Sequence, residues 1–219
     1  YILAYVRDSN VISQNTSANS ITVRAAHEPG LLRADAFGVA LAYANASGLS
    51  AGSKGIAVGI AVGLNLVNQE VEAIVQDSTV ATAGALRVDA LADPQVYALA
   101  VGIAASLARG TDSSLGGAGA GSIAINRVTN RVRAQVRKRK AAVSSVAASG
   151  DVTVQAQDES FLRADAGAFS VALSQVKAGG TGTSTAIAVG AALARNELGA
   201  GMQDELGILD PDLAHDTPE

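Results

Sequence analysis

Side chains able to do acid–base, nucleophilic or ligating chemistry are sparse in this 219-residue chain. Its two histidines are His27, in Ala-His-Glu-Pro, and His215, in Ala-His-Asp-Thr. A hydrolase triad brings a serine, a histidine and a carboxylate together, usually with a sharp turn to present the serine. The chain is read as having no such nucleophile elbow, and both histidines, each close to a proline, as surface loop residues. Asp35 and Asp165 follow Arg33 and Arg163 by two residues, which puts cation and carboxylate on one face of a strand. A glycosidase needs two carboxyl groups at a set separation across a cleft. Arg-x-Asp reads more simply as a recurring same-face ion pair.

Two charged clusters remain. Asp204, Glu205, Asp210, Asp212, Asp216 and Glu219 are hard oxygen ligands of the kind calcium takes, but no EF-hand loop or glycine-rich nonapeptide accompanies them, so they read as an acidic tail. Arg131, Arg133, Arg137, Lys138, Arg139 and Lys140 form a basic cluster in an expected turn region. It is a candidate anion-binding site for an acidic polysaccharide, a lipopolysaccharide phosphate or an acidic neighbour. The alternative is a sheet edge kept from aggregating by like charges. No cofactor or metal ligand set is identified.

Composition narrows the class. Net charge is -4 with a pI near 5.2, which excludes nucleic acid as an obligatory partner, since phosphate neutralisation needs a sustained basic face. Cysteine is absent, so stability rests on burial and backbone pairing. Hydrophobic residues make up 48% but aromatics only 3%, which predicts a core of small and β-branched side chains. The most apolar stretch, Gly55 to Val67, is too short to span a bilayer as a helix, so no transmembrane helix is expected.

The elements that must position these residues recur. Ile21-Thr-Val-Arg-Ala25, Leu86-Arg-Val-Asp-Ala90 and Val152-Thr-Val-Gln-Ala156 share one pattern, 65 and 66 positions apart. Leu32-Arg-Ala-Asp-Ala36 returns as Leu162-Arg-Ala-Asp-Ala166, and Asn65 with Val71-Glu-Ala-Ile-Val75 matches Asn126 with Val132-Arg-Ala-Gln-Val136. Such a period indicates stacked units sharing a continuous core. Each unit predicts a short strand (20–26), a long strand (31–46), a Gly/Ser loop (47–54), a second long strand (55–75) and a polar turn near Asp77-Ser78. In the second long strand Val58, Ile60, Val62, Leu64 and Leu66 fall on one face and Ala57, Gly59, Ala61, Gly63 and Asn65 on the other, so burial is expected on both sides. Gly55, Gly59 and Gly63 would also line a helix, but three glycines among Val and Ile favour a strand.

This layout resembles the Ala/Gly/Val-rich repeat arrays of giant bacterial secreted and cell-surface proteins of the adhesin-like, haemagglutinin-like class, over nearly all of residues 1–198. The resemblance implies extracellular or cell-surface display and adhesive or structural duty, and it carries over no functional residue. The expected fold is all-β, a repetitive β-solenoid-like or layered long-strand array with a period of about 65 residues. Residues 1–18 read as the end of a preceding repeat, 19–84 and 85–150 as full repeats, 151–198 as a partial third and 199–219 as an acidic tail or linker. The expected function is a non-catalytic structural or adhesive module, whose partners are neighbouring repeats and anionic polysaccharide or cell-surface components. The alternatives are an anionic-glycan-binding module acting through 131–140 and a polysaccharide-active enzyme on a β-solenoid.

Overall fold

The computed structural model describes residues 1–13, 20–47, 52–139 and 145–199. Among them the regular elements are all strands: β1 (Ile2–Arg7), β2 (Asn10–Ser13), β3 (Ile21–Asn45), β4 (Ser53–Gln76), β5 (Thr79–Thr82), β6 (Leu86–Gly110), β7 (Ser114–Arg137), β8 (Ser145–Ala148), β9 (Val152–Asp158), β10 (Phe161–Val176) and β11 (Ser184–Leu198). No helix is present among the described residues, so the glycines at 55, 59 and 63 belong to a strand. The expected short and long strands at 20–26 and 31–46 are one strand, β3, with a register irregularity between His27 and Gly30. His27 therefore lies in a strand and is half-buried, contrary to the loop reading. His215 and the acidic residues from 204 onward lie outside the described residues.

The strands form three sheets and every pairing is parallel: β1-β4-β7-β11, β2-β5-β8, and β3-β6-β10 with β9 also on β6. Strands of like sequence lie side by side. Ile21 pairs with Leu86 and Leu86 with Val152, while Ser53 pairs with Ser114 and Ser114 with Ser184. Corners repeat too. Asp8 and Asp77, which follow β1 and β4, both take a positive φ of 48°, a left-handed conformation that Asp adopts more readily than most residues. Behind each, a serine hydroxyl closes the turn: Ser9 Oγ donates to Arg7 O at 2.6 Å and Ser78 Oγ to Gln76 O at 2.7 Å.

The interior has two kinds of packing. Where all three sheets converge, Val23, Val71, Val75, Val80, Leu86 and Val88 make a core of ordinary bulk. Further along the long strands only two sheets face each other, and the layer between them is alanine and glycine. Ala57, Ala104, Ala118 and Ala120 form one cluster there, and Ala61, Ala98, Ala100 and Ala124 another. Backbones approach closely across this layer. A Cβ placed on Gly59 would sit 2.2 Å from Ile103 O, and one on Gly38 would sit 2.1 Å from Ile60 O, so only glycine fits at these crossings.

Such a thin layer leaves no room for large side chains, and they point outward. Ile56, Val58, Ile60 and Val62 are 56–66% exposed. The expectation that both faces of this strand are buried is therefore corrected for the described residues. The Ala/Gly face is the interior and the bulky face is the surface.

Candidate interaction surfaces

Arg131, Arg133 and Arg137 lie in strand β7 itself; Lys138 and Arg139 follow it, and Lys140 lies outside the described residues. β11 pairs with β7 only as far as Val128, so beyond that point β7 is strand-paired on the β4 side alone among the described residues. The register sets Arg131 opposite Glu70 and Arg133 opposite Glu72, at 3.6 and 3.1 Å between charged atoms. Two of the six cations expected to cluster, Arg131 and Arg133, are thus matched by carboxylates one strand away. Burial opposes ionisation of Glu70, yet the Tyr1 hydroxyl and the Arg131 guanidinium outweigh it and hold that carboxyl below its ordinary pKa. Arg137 instead binds the neutral side chains of Gln76 and Gln135, at 2.8 and 3.0 Å, beside the exposed Lys138 and Arg139. The Arg139 backbone N–H donates to Asp77 Oδ1 at 2.6 Å, tying this end to the corner below.

The recurring Arg-x-Asp motif forms the same-face ion pairs expected of it, with Arg33 Nε 2.8 Å from Asp35 and Arg163 Nε 2.8 Å from Asp165. Tyr97 and Leu99 of β6 lie between the two pairs. Gly48-Leu-Ser-Ala-Gly52 does carry the G-x-S-x-G spacing, which corrects the reading that no such sequence occurs. Its residues 48–51 lie outside the described residues; the described elements on either side are strands, β3 and β4, not the strand and helix that flank a nucleophile elbow.

Three features were not recognised in the sequence. Asn65, Asn126 and Asn196 pair in register and form a side-chain ladder, Asn65 Nδ2 donating to Asn126 Oδ1 and Asn126 Nδ2 to Asn196 Oδ1, each at 2.9 Å. Asn126 is fully buried and also donates to Arg163 O at 2.6 Å. The matching positions of Asn65 and Asn126 were the available signal, but only the register makes them partners.

At the far end of β3, β6 and β10, Asn45, Arg109 and Gln175 line up across the sheet beside Tyr43 and Lys177, bordering an open depression of about 390 Å3. Amides, a guanidinium and an aromatic face are groups that bind hydroxyls and sugar rings. The third feature is the apolar exterior: Phe37, Leu41, Phe169 and Leu173 on one sheet, and Ile56, Val58, Ile60, Ile187 and Val189 on the other, are more than half exposed. Large exposed apolar patches are characteristic of interaction surfaces, which makes these two faces candidates.

No protein-family model matches the chain. Comparison with curated proteins and with solved structures also finds no match.

Proposed function

We propose that the chain is a non-catalytic structural and adhesive module of a secreted or cell-surface protein, built as a β-solenoid-like stack with a period of about 65 residues. The observation that carries this reading is the in-register parallel pairing of strands 61–70 positions apart, in the same order within each of three sheets. A sheet that grows by adding like strands at its edge suits an extended scaffold. Its apolar exterior and the polar row of Asn45, Arg109 and Gln175 supply surface for adhesion.

Deleting residues 85–150 tests the reading. A repeat module should lose one layer, rejoin 84 to 151 and fold cooperatively with a β spectrum and a lower denaturant midpoint, because each unit is held by its neighbours. An unfolded product would reject it. Adhesion is read on the intact module, as retention on polysaccharide-coated surfaces that falls when Arg109 and Gln175 are changed to Ala. No retention on any such surface would leave a scaffold without adhesive duty.

A second reading, recognition of an anionic glycan, draws on Arg137, Lys138 and Arg139, whose side chains have no carboxylate within ion-pair distance among the described residues. Replacing all three with Gln should abolish salt-sensitive retention on a heparin-like column. Unchanged retention would eliminate this reading.

A further inference from the structure

The outward face of the β4-β7-β11 sheet has a relief that matches itself. β4 carries a ridge of Ile56, Val58, Ile60, Val62, Leu64 and Leu66, all exposed. Beside it, in register, β7 carries Gly117, Gly119 and Gly121. Bare strand therefore faces outward next to bulky strand: a Cβ on Gly119 would touch only Val58 Cγ2, at 3.9 Å, and one on Gly121 only Ile60 Cγ1, at 4.0 Å. Further along the same faces β4 turns acidic, with Glu70 and Glu72, and β7 turns basic, with Arg131 and Arg133.

We infer that this face is a self-association surface, on which a second copy of the chain docks about a twofold axis running along the strands between β4 and β7. That rotation keeps the height of every residue and exchanges the two strands. It lays Ile56, Val58 and Ile60 of each copy over Gly117, Gly119 and Gly121 of the other, ridge into trough in both directions. Isologous pairing requires this reciprocity. The same operation sets Glu70 and Glu72 of each copy over Arg131 and Arg133 of the other, so apolar relief and charge agree on one arrangement.

The area is sufficient. Six half-exposed aliphatic side chains each leave on the order of 80 Å2 accessible, roughly 500 Å2 per copy and roughly 1,000 Å2 for the pair, the lower range of specific interfaces. A lipid bilayer fits less well. Along Ser53–Glu70 strand β4 is paired on one side only among the described residues, so immersion would carry open backbone N–H and C=O groups into hydrocarbon. The proposed surface is a sheet face, whereas the stacking of like strands uses sheet edges, so the two can fail separately.

Sedimentation of the purified chain over a concentration series reads the association, with Gly119→Val and Val58→Asp as the variants. Gly119→Val fills the trough where the monomer has open space, so it should keep the wild-type β spectrum and, at a concentration where both chains are monomeric, the wild-type melting midpoint, while weakening association by about tenfold or more. Val58→Asp should do the same by placing a charge on the ridge, and it carries the test alone if Gly119→Val does not fold. A wild-type chain that stays monomeric up to about 1 mM would overturn the inference, since even weak specific interfaces associate below that concentration. So would association that both variants leave unchanged, which would point to the sheet edges. Flotation of a monomeric wild-type chain with phosphatidylglycerol vesicles, lost in both variants, would overturn it in favour of lipid.

Discussion

Glycine and serine positions inside the thin layer carry the sharpest residue-scale consequences. Gly59 lies under Ile103 O, and even the single methyl of Gly59→Ala must push two sheets apart, at a cost of about 1–3 kcal/mol or more. Its neighbour Ile60 points outward at 66% exposure, so Ile60→Ala should cost less than about 1 kcal/mol. Denaturant midpoints of the two variants check the inversion directly, because a bulk-inside strand would reverse their order. Ser106 and Ser122 are buried in the same layer with no hydrogen-bond partner for their hydroxyls. An unsatisfied buried hydroxyl costs about 1–3 kcal/mol, so Ser106→Ala and Ser122→Ala should each raise the unfolding free energy, by roughly 1 kcal/mol. Urea titration of either variant with a lowered midpoint would contradict this packing.

Between residue and sheet, the asparagine ladder and the Glu70 network bind neighbouring strands. Asn126 joins Asn65 on one side and Asn196 on the other while holding Arg163 O. Asn126→Ala removes these bonds at once and should cost about 2–3 kcal/mol by thermal or denaturant unfolding. Glu70 titrates below its ordinary value in the folded chain, so it binds protons less readily folded than unfolded. The stability it contributes is complete above the unfolded pKa of about 4.3 and is lost as pH falls through the lower folded value. Glu70→Gln should therefore flatten the acid limb of a stability–pH profile, and an unchanged limb would contradict the network. Much at this scale was legible in the residues. Alternation in 55–75 and the sequence matches at 65 and 66 positions anticipated long strands, but not which strands pair: β3 and β4, joined by one loop, lie in different sheets. The face that turns inward was not legible, because both faces of Ile56 to Leu66 are apolar and bulk ordinarily goes inside. Here close backbone approach at Gly38, Gly59 and Gly102 selects the bare face instead. Nor did charge counting reveal that Arg131 and Arg133 meet Glu70 and Glu72, since those partners are 61 positions away and only the register brings them together.

At the scale of the whole molecule, like strands stack in parallel register across three sheets among the described residues, with a dense thin layer within and exposed apolar and polar surfaces without. The absence of cysteine makes the register directly testable. Val62 and Ile123 are partners on adjacent strands and both point outward, so their Cα atoms lie about 4.8 Å apart, within disulfide reach. Val62 and Arg127 share that face, but Arg127 is four residues further along β7, displaced by about 13 Å and out of reach. The measurement is oxidative cross-linking of V62C/I123C and V62C/R127C at low protein concentration, with peptide mass spectrometry of the monomeric product. An intrachain disulfide should form in the first variant and none in the second. Equal cross-linking in both, or its absence from the first, would contradict the in-register stack.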